Sequence, residues 1–172
     1  DCYAYVIYQN IGSTWVSIDT VYGINNTIYT TTSTIANTAA TNYCIASLDS
    51  CGNIGLLGNS HTTLKLNTTY DVCARNTNLT WNAYQNMPLG VSHYQIYCSA
   101  NAGPYLYLGS STVTAFQHTN LTPGTTYYYM VRVFNTFGAI TSSSNRASLF
   151  ASAPPASSFV YLKSASVDPD QS

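Results

Sequence analysis

The sequence predicts an all-β protein of tandem sandwiches, cut at both ends from a longer array, and three observations carry that expectation. Residues 121–135, LTPGTTYYYMVRVFN, alternate strictly, with Tyr127, Tyr129, Val131 and Val133 on one parity and Tyr128, Met130, Arg132 and Phe134 on the other. Period two marks a strand, and Pro123-Gly124 marks the tight turn that feeds it. A tyrosine placed just after such a turn predicts a tyrosine corner, its hydroxyl bonded back to upstream backbone. The composition agrees. Charged residues are 6% of the chain, against about 25% in an average soluble protein. All six acidic residues are Asp, and 16 tyrosines with abundant Thr favour strands over helices. Finally, the chain repeats itself: Tyr5-Val6-Ile7-Tyr8 returns as Tyr94-Gln95-Ile96-Tyr97. Gly52 and Gly138 each precede an asparagine, Asn59 and Asn145, by the same interval. A spacing of about 86 residues indicates tandem domains, since solenoid repeats are shorter.

Residues 67–152 read as a complete module. TYDVC is its first strand and NLTWNAY its second, with Trp81 inward. HYQIYCS, YLYLGSS, AFQH, YYYMVRVFN and SNRASLFA follow, seven short strands separated by turns. Residues 1–66 begin at the equivalent of the third strand, so this module lacks its first two. Residues 153–172 read as a Pro-Pro linker and the first strand of a third module. The stretches SHTTLKLNTT and SAPPASS are the expected linkers.

Trp81, YQIY, LTPGTTYYYMVRV and SSSNRAS together resemble a fibronectin type III domain. YCIASLDSCGN followed by LTWNAYQNMPLGVSHYQIYCS is similar to the tandem modules of large Bacteroidetes cell-surface proteins that carry a gliding motility-associated C-terminal domain. That resemblance implies export by the type IX pathway, an extracellular or cell-surface location, and a role in an adhesin or surface filament. It also makes Thr20, in Asp19-Thr20-Val21, the expected O-glycosylation acceptor. Asn67, Asn78 and Asn120 begin N-linked sequons, most of which chance explains in so Asn- and Thr-rich a chain.

Five cysteines fit an oxidising compartment. Counting inward positions back from Trp81 and Leu79 reaches Cys73, and counting on from Tyr94 and Ile96 reaches Cys98. A Cys73–Cys98 bridge closes a loop of about 26 residues, worth about 3.5 kcal/mol in the chain-entropy model. Pairing the first module's strands antiparallel sets Tyr8 opposite Cys44 and Cys2 opposite Ser50. Cys2–Cys51 is then the second expected bridge, and Cys44 points outward as a free thiol. The alternative is that all five are small buried residues.

No catalytic constellation is legible. His61, His93 and His118 are not at metal-ligand spacing, and no serine sits in a nucleophile elbow. Asp168 and Asp170 read as a turn, and the other carboxylates are scattered. No metal, no cofactor and no enzymatic activity are expected. A net charge of -1 speaks against nucleic-acid partners, and no apolar run is long enough for membrane insertion. Tyr97, Tyr105, Tyr107, Tyr128 and Arg132 could line one outer sheet face as a binding surface; otherwise they are cross-strand pairs that stabilise it.

The leading functional expectation is mechanical: a stalk or fibre body whose partners are neighbouring modules of the same or identical chains, with surface glycans or other cells beyond. One alternative makes these carbohydrate- or protein-binding accessory modules of a secreted enzyme. The other makes the chain a filament subunit whose tail, SFVYLKSASV, completes the open sheet of the next by strand donation.

Overall fold

A computed structural model describes residues 1–31 and 37–155, and every regular element among them is a β-strand. The first module is a sheet of four strands: β1 (Cys2–Ile11), β2 (Thr14–Tyr22), β3 (Asn42–Asp49) and β4 (His61–Thr62), in the order β2-β1-β3-β4. The second module has two sheets. β5 (Leu66–Asp71), β6 (Asn76–Trp81) and β9 (Ala115–His118) form one, in the order β5-β6-β9. β7 (Val91–Ala100), β8 (Leu106–Ser111), β10 (Thr125–Asn135), β11 (Thr141–Ser143) and β12 (Ala147–Ala151) form the other. Its order is β11-β10-β7-β8, with β12 also on β10. Since β11 and β12 are two halves of one interrupted edge, this is a seven-stranded sandwich of three strands against four. The fold is therefore tandem and fibronectin type III-like.

Alternation places the core. Along β10 the residues Tyr127, Tyr129, Val131, Val133 and Asn135 are buried while their neighbours are half-exposed. They meet Leu66, Leu79, Trp81, Tyr94 and Ile96 in one cluster, joined by Leu64, Met87, Leu121 and Ala151. Trp81 lies edge-on to Tyr94, with ring centroids 5.3 Å apart, the geometry aromatic pairs prefer. Gly109 lets the sheets approach: a Cβ there would stand 2.9 Å from Cε2 and Cζ of Phe116.

The tyrosine corner is present. Tyr127 Oη accepts the Thr122 N–H at 3.0 Å, Leu121 is buried beneath the turn, and Gly124 holds a φ of 82°. At the other edge Asn145 interrupts the last strand and substitutes for backbone. Its Oδ1 accepts Leu66 N–H at 2.6 Å and its Nδ2 donates to Leu66 O at 3.3 Å. That amide fastens β5 to the opposite sheet. Asn59, its repeat equivalent, is exposed.

Several expectations need correction. The stretch read as a linker, residues 60–69, contains β4 and most of β5, and Leu64 and Leu66 belong to the second module's core. The first strand of that module ends at Asp71, so Cys73 lies in the following turn and is exposed. In the first module Tyr8 does face Cys44, but a bulge after Cys2 sets it opposite Asp49 rather than Ser50. Cys44 is not outward; it is buried on the parity of Ala4, Val6 and Ala46. The outward assignment came from equating Tyr5 and Ile7 with Tyr94 and Ile96. In this sheet the small residues pack most closely, while Ile45 on the other parity is 50% exposed. Of the third-module segment, residues 156–172 lie outside the described residues.

The corner hydroxyl is a discrete contribution. Tyr127→Phe should cost about 1–2 kcal/mol, since it leaves the Thr122 N–H without its acceptor. Tyr128→Phe, one residue along and facing outward, should cost nothing measurable. Urea unfolding of both variants checks the contrast.

Candidate functional site

The outward parity of the four-stranded face carries both aromatic and cationic groups. Register pairs fix its rows. Tyr128 lies between Ser99 and Ser148, Met130 beside Tyr97, and Arg132 between Gln95 and Ser143. Tyr107 pairs with Tyr97 on the far side. Rows of same-face residues are about 7 Å apart along a strand. Register puts Tyr97, Tyr107, Tyr128 and Arg132 on one face, and Tyr105 lies near Tyr128 just before β8.

They divide into two groups. In the first, the Arg132 guanidinium lies 5.8 Å from the Tyr97 ring centroid, Tyr97 meets Tyr107 edge-on at 6.1 Å, and the Tyr97 hydroxyl donates to Gln95 Oε1 at 2.6 Å. This group is satisfied internally. The second surrounds an open cleft of about 540 Å³ lined by Ser99, Ala102, Gly103, Tyr105, Tyr128, Arg146 and Ser148. The Arg146 guanidinium sits 5.7 Å from the Tyr105 centroid. Ser99 is buried and donates to Gly103 O at 2.6 Å, which shapes the cleft floor. Arg146 and Ser148 were absent from the sequence reading. The available signal was parity: both share the outward register of the last strand.

The remaining polar groups are structural. His93 stacks on Phe134 at 5.2 Å with a 4° interplanar angle, and His61 packs against Tyr84. His118 Nδ1 lies 2.9 Å from Tyr129 Oη, and burial lowers the imidazole pKa. Beside it, burial pushes the Cys98 thiol up to about 11 and raises the Tyr129 phenol well above its ordinary value. No three His, Cys, Asp or Glu residues among those described are grouped to hold a metal ion.

All five cysteines are free thiols in the structure. Cys73 is held in its turn by the Asp71 carboxylate, which accepts the N–H groups of Cys73 and Ala74. Cys98 is half-buried beneath the opposite sheet. Parity counting from Trp81 therefore fails at the turn, which breaks the alternation before it reaches Cys73. Cys51 is exposed in the turn closed by Asp49, and Cys2 stands opposite Asp49 on β1. Thr20 is half-exposed on the edge strand β2, its N–H bonded to Asp19 Oδ1 at 2.7 Å.

No protein-family model matches the chain, and no curated protein matches its sequence. Solved structures do. An Fn3-like protein from Clostridium thermocellum is 30% identical over 48% of this chain and 83% of that one, with a TM-score of 0.41. The FN1–FN3 domains of chicken CNTN1 are 14% identical over 88% of this chain and 55% of theirs, at 0.43. A run of titin domains is 19% identical over 86% of this chain and 55% of theirs, at 0.45. The chain spans just over half the length of the latter two.

Two solution measurements follow. His118 is harder to protonate folded than unfolded, so stability should fall as pH drops through about 6.5, the ordinary imidazole value, and level off below the depressed one. A thermal midpoint that declines between about pH 7 and pH 5, and a flatter profile in His118→Gln, would show it. Under thiol labelling at about pH 8, Cys51 and Cys73 should react at once and Cys44 and Cys98 only on unfolding, because the thiolate is the reactive form.

Proposed function

We propose that this chain is a non-catalytic structural segment of an extracellular surface protein, a stalk or fibre body of an adhesin or filament. The observation that carries the reading is the junction between its modules. The chain leaves β4, crosses three residues and enters β5, and almost every group in that crossing is held. Thr63 N–H donates to Thr41 O at 2.9 Å, and Thr63 Oγ1 accepts Thr41 N–H at 2.8 Å. From the other side Asn82 Nδ2 donates to Thr63 O at 3.1 Å, and Asn82 Oδ1 accepts Lys65 N–H at 2.7 Å. Asn86 Nδ2 donates to Ser60 O at 2.6 Å. Tyr84 Oη meets His61 Nδ1 at 3.3 Å, while Leu64 is 1% exposed in the second module's core.

Flexible linkers lack such fastening, and inter-domain motion is the default unless an interface opposes it. A junction tied by side chains from the loop after β6 resists bending, which is what a load-bearing array requires. A surface of hydroxyls and amides with few charges suits an exposed location. Export to an oxidising compartment would join Cys2 with Cys51, and Thr20 on the edge strand β2 would carry sugar.

Backbone NMR relaxation on the chain tests the reading. The two modules should tumble as one body. Asn82→Ala combined with Asn86→Ala should uncouple them while each keeps its own unfolding free energy within about 1 kcal/mol. Independent tumbling of the parent modules would overturn the stalk.

A further inference from the structure

We infer that the cleft formed by the end of β7, the turn that follows it, β10 and β12 is a binding site for a carboxylate-bearing sugar, with Arg146 forking the carboxylate and Tyr105 and Tyr128 bearing on the ring. The inference is independent of the stalk reading; a module can both support load and hold a glycan.

Charge is the first argument. The described residues of the second module contain one carboxylate, Asp71, and it is engaged in the turn after β5 with the N–H groups of Cys73 and Ala74. Arg146 is exposed and stacked on Tyr105, with no acid on its face. A guanidinium laid on an aromatic ring is oriented but not neutralised. Its planar fork matches a carboxylate in two parallel hydrogen bonds. Arg132, one row away, instead donates from Nε to Ser143 Oγ as well as stacking on Tyr97.

Open hydrogen-bonding groups are the second argument. The hydroxyls of Tyr70, Tyr84, Tyr97, Tyr127 and Tyr129 have protein partners. Those of Tyr105 and Tyr128, and the Ser148 hydroxyl, have none among the described residues, and all three line the cleft beside Arg146. Hydroxyls and one guanidinium set among two aromatic rings complement a uronic acid: polar groups at its rim, an apolar C–H face and one negative charge. The cleft volume of about 540 Å³ lies in the range of small-ligand sites. Its openness to solvent on the flat sheet suits one or a few units of a chain.

Calorimetric titration of the full chain with trigalacturonate tests this, with the methyl-esterified trimer and a tri-glutamate peptide as controls. Saturable binding of trigalacturonate is expected, weakened at least tenfold by Arg146→Gln and by Tyr105→Ala, and no more than about twofold by Arg132→Gln. Because Arg146 is exposed, its variant should keep the parent's unfolding midpoint; should it misfold, Tyr105→Ala decides. No binding of trigalacturonate overturns the inference. Equal binding of the ester overturns the role of the carboxylate, and equal binding of tri-glutamate overturns recognition of the sugar. Equal losses from Arg132→Gln and Arg146→Gln would mean diffuse attraction to a basic face and no site.

Discussion

Everything in the second module depends on β10. It pairs with β7 along one edge and with β11 and β12 along the other, so its two parities decide what both faces of the larger sheet become. The inward set supplies the core against Leu79 and Trp81; the outward set supplies Tyr128 and Arg132. A one-residue slip would exchange them and turn Val131 and Val133 to solvent. The tyrosine corner fixes the turn that feeds the strand, with Tyr127 Oη accepting the Thr122 N–H.

Scarcity of charge shapes the rest. With so few ionised groups, cohesion runs through neutral hydrogen bonds and ring contacts. The asparagines act as backbone substitutes: Asn145 completes an edge and Asn82 braces a junction. Asp49 and Asp71 close turns. Asp49 accepts the N–H groups of Cys51 and Asn53 and the Asn53 amide, and that hydrogen bonding holds its carboxyl below the usual range. Acids committed to turns leave the sheet-face arginines with aromatic rings in place of counter-ions. The stability of the turns and the open guanidinium of Arg146 thus have one origin.

The junction shows how the same chemistry acts between modules. A connection this short, with Leu64 inserted in one core and Thr63 bonded to Thr41 of the other module, makes the last strand of one sandwich the lead into the next. The hydrogen bonds at that junction come from side chains on the loop after β6. They are invisible in the composition of the connecting stretch, whose Ser, His and Thr look like those of any solvated linker.

The sequence by itself determined the all-β class, the inward parity of β10 and the corner at Tyr127. Each is written in local alternation or turn chemistry, where neighbours in the chain are neighbours in space. It also placed Tyr97, Tyr107, Tyr128 and Arg132 on one face, because parity carries across paired strands. Only the tertiary structure decided that Arg146 and Ser148 join Tyr105 and Tyr128 around a cleft, that Cys73 sits in a turn away from Cys98, and that Cys44 is buried. Those facts rest on where alternation stops and on which edge meets which. A bulge after Cys2, a turn at Val72 and an interruption at Asn145 each reset the parity that a linear count assumes.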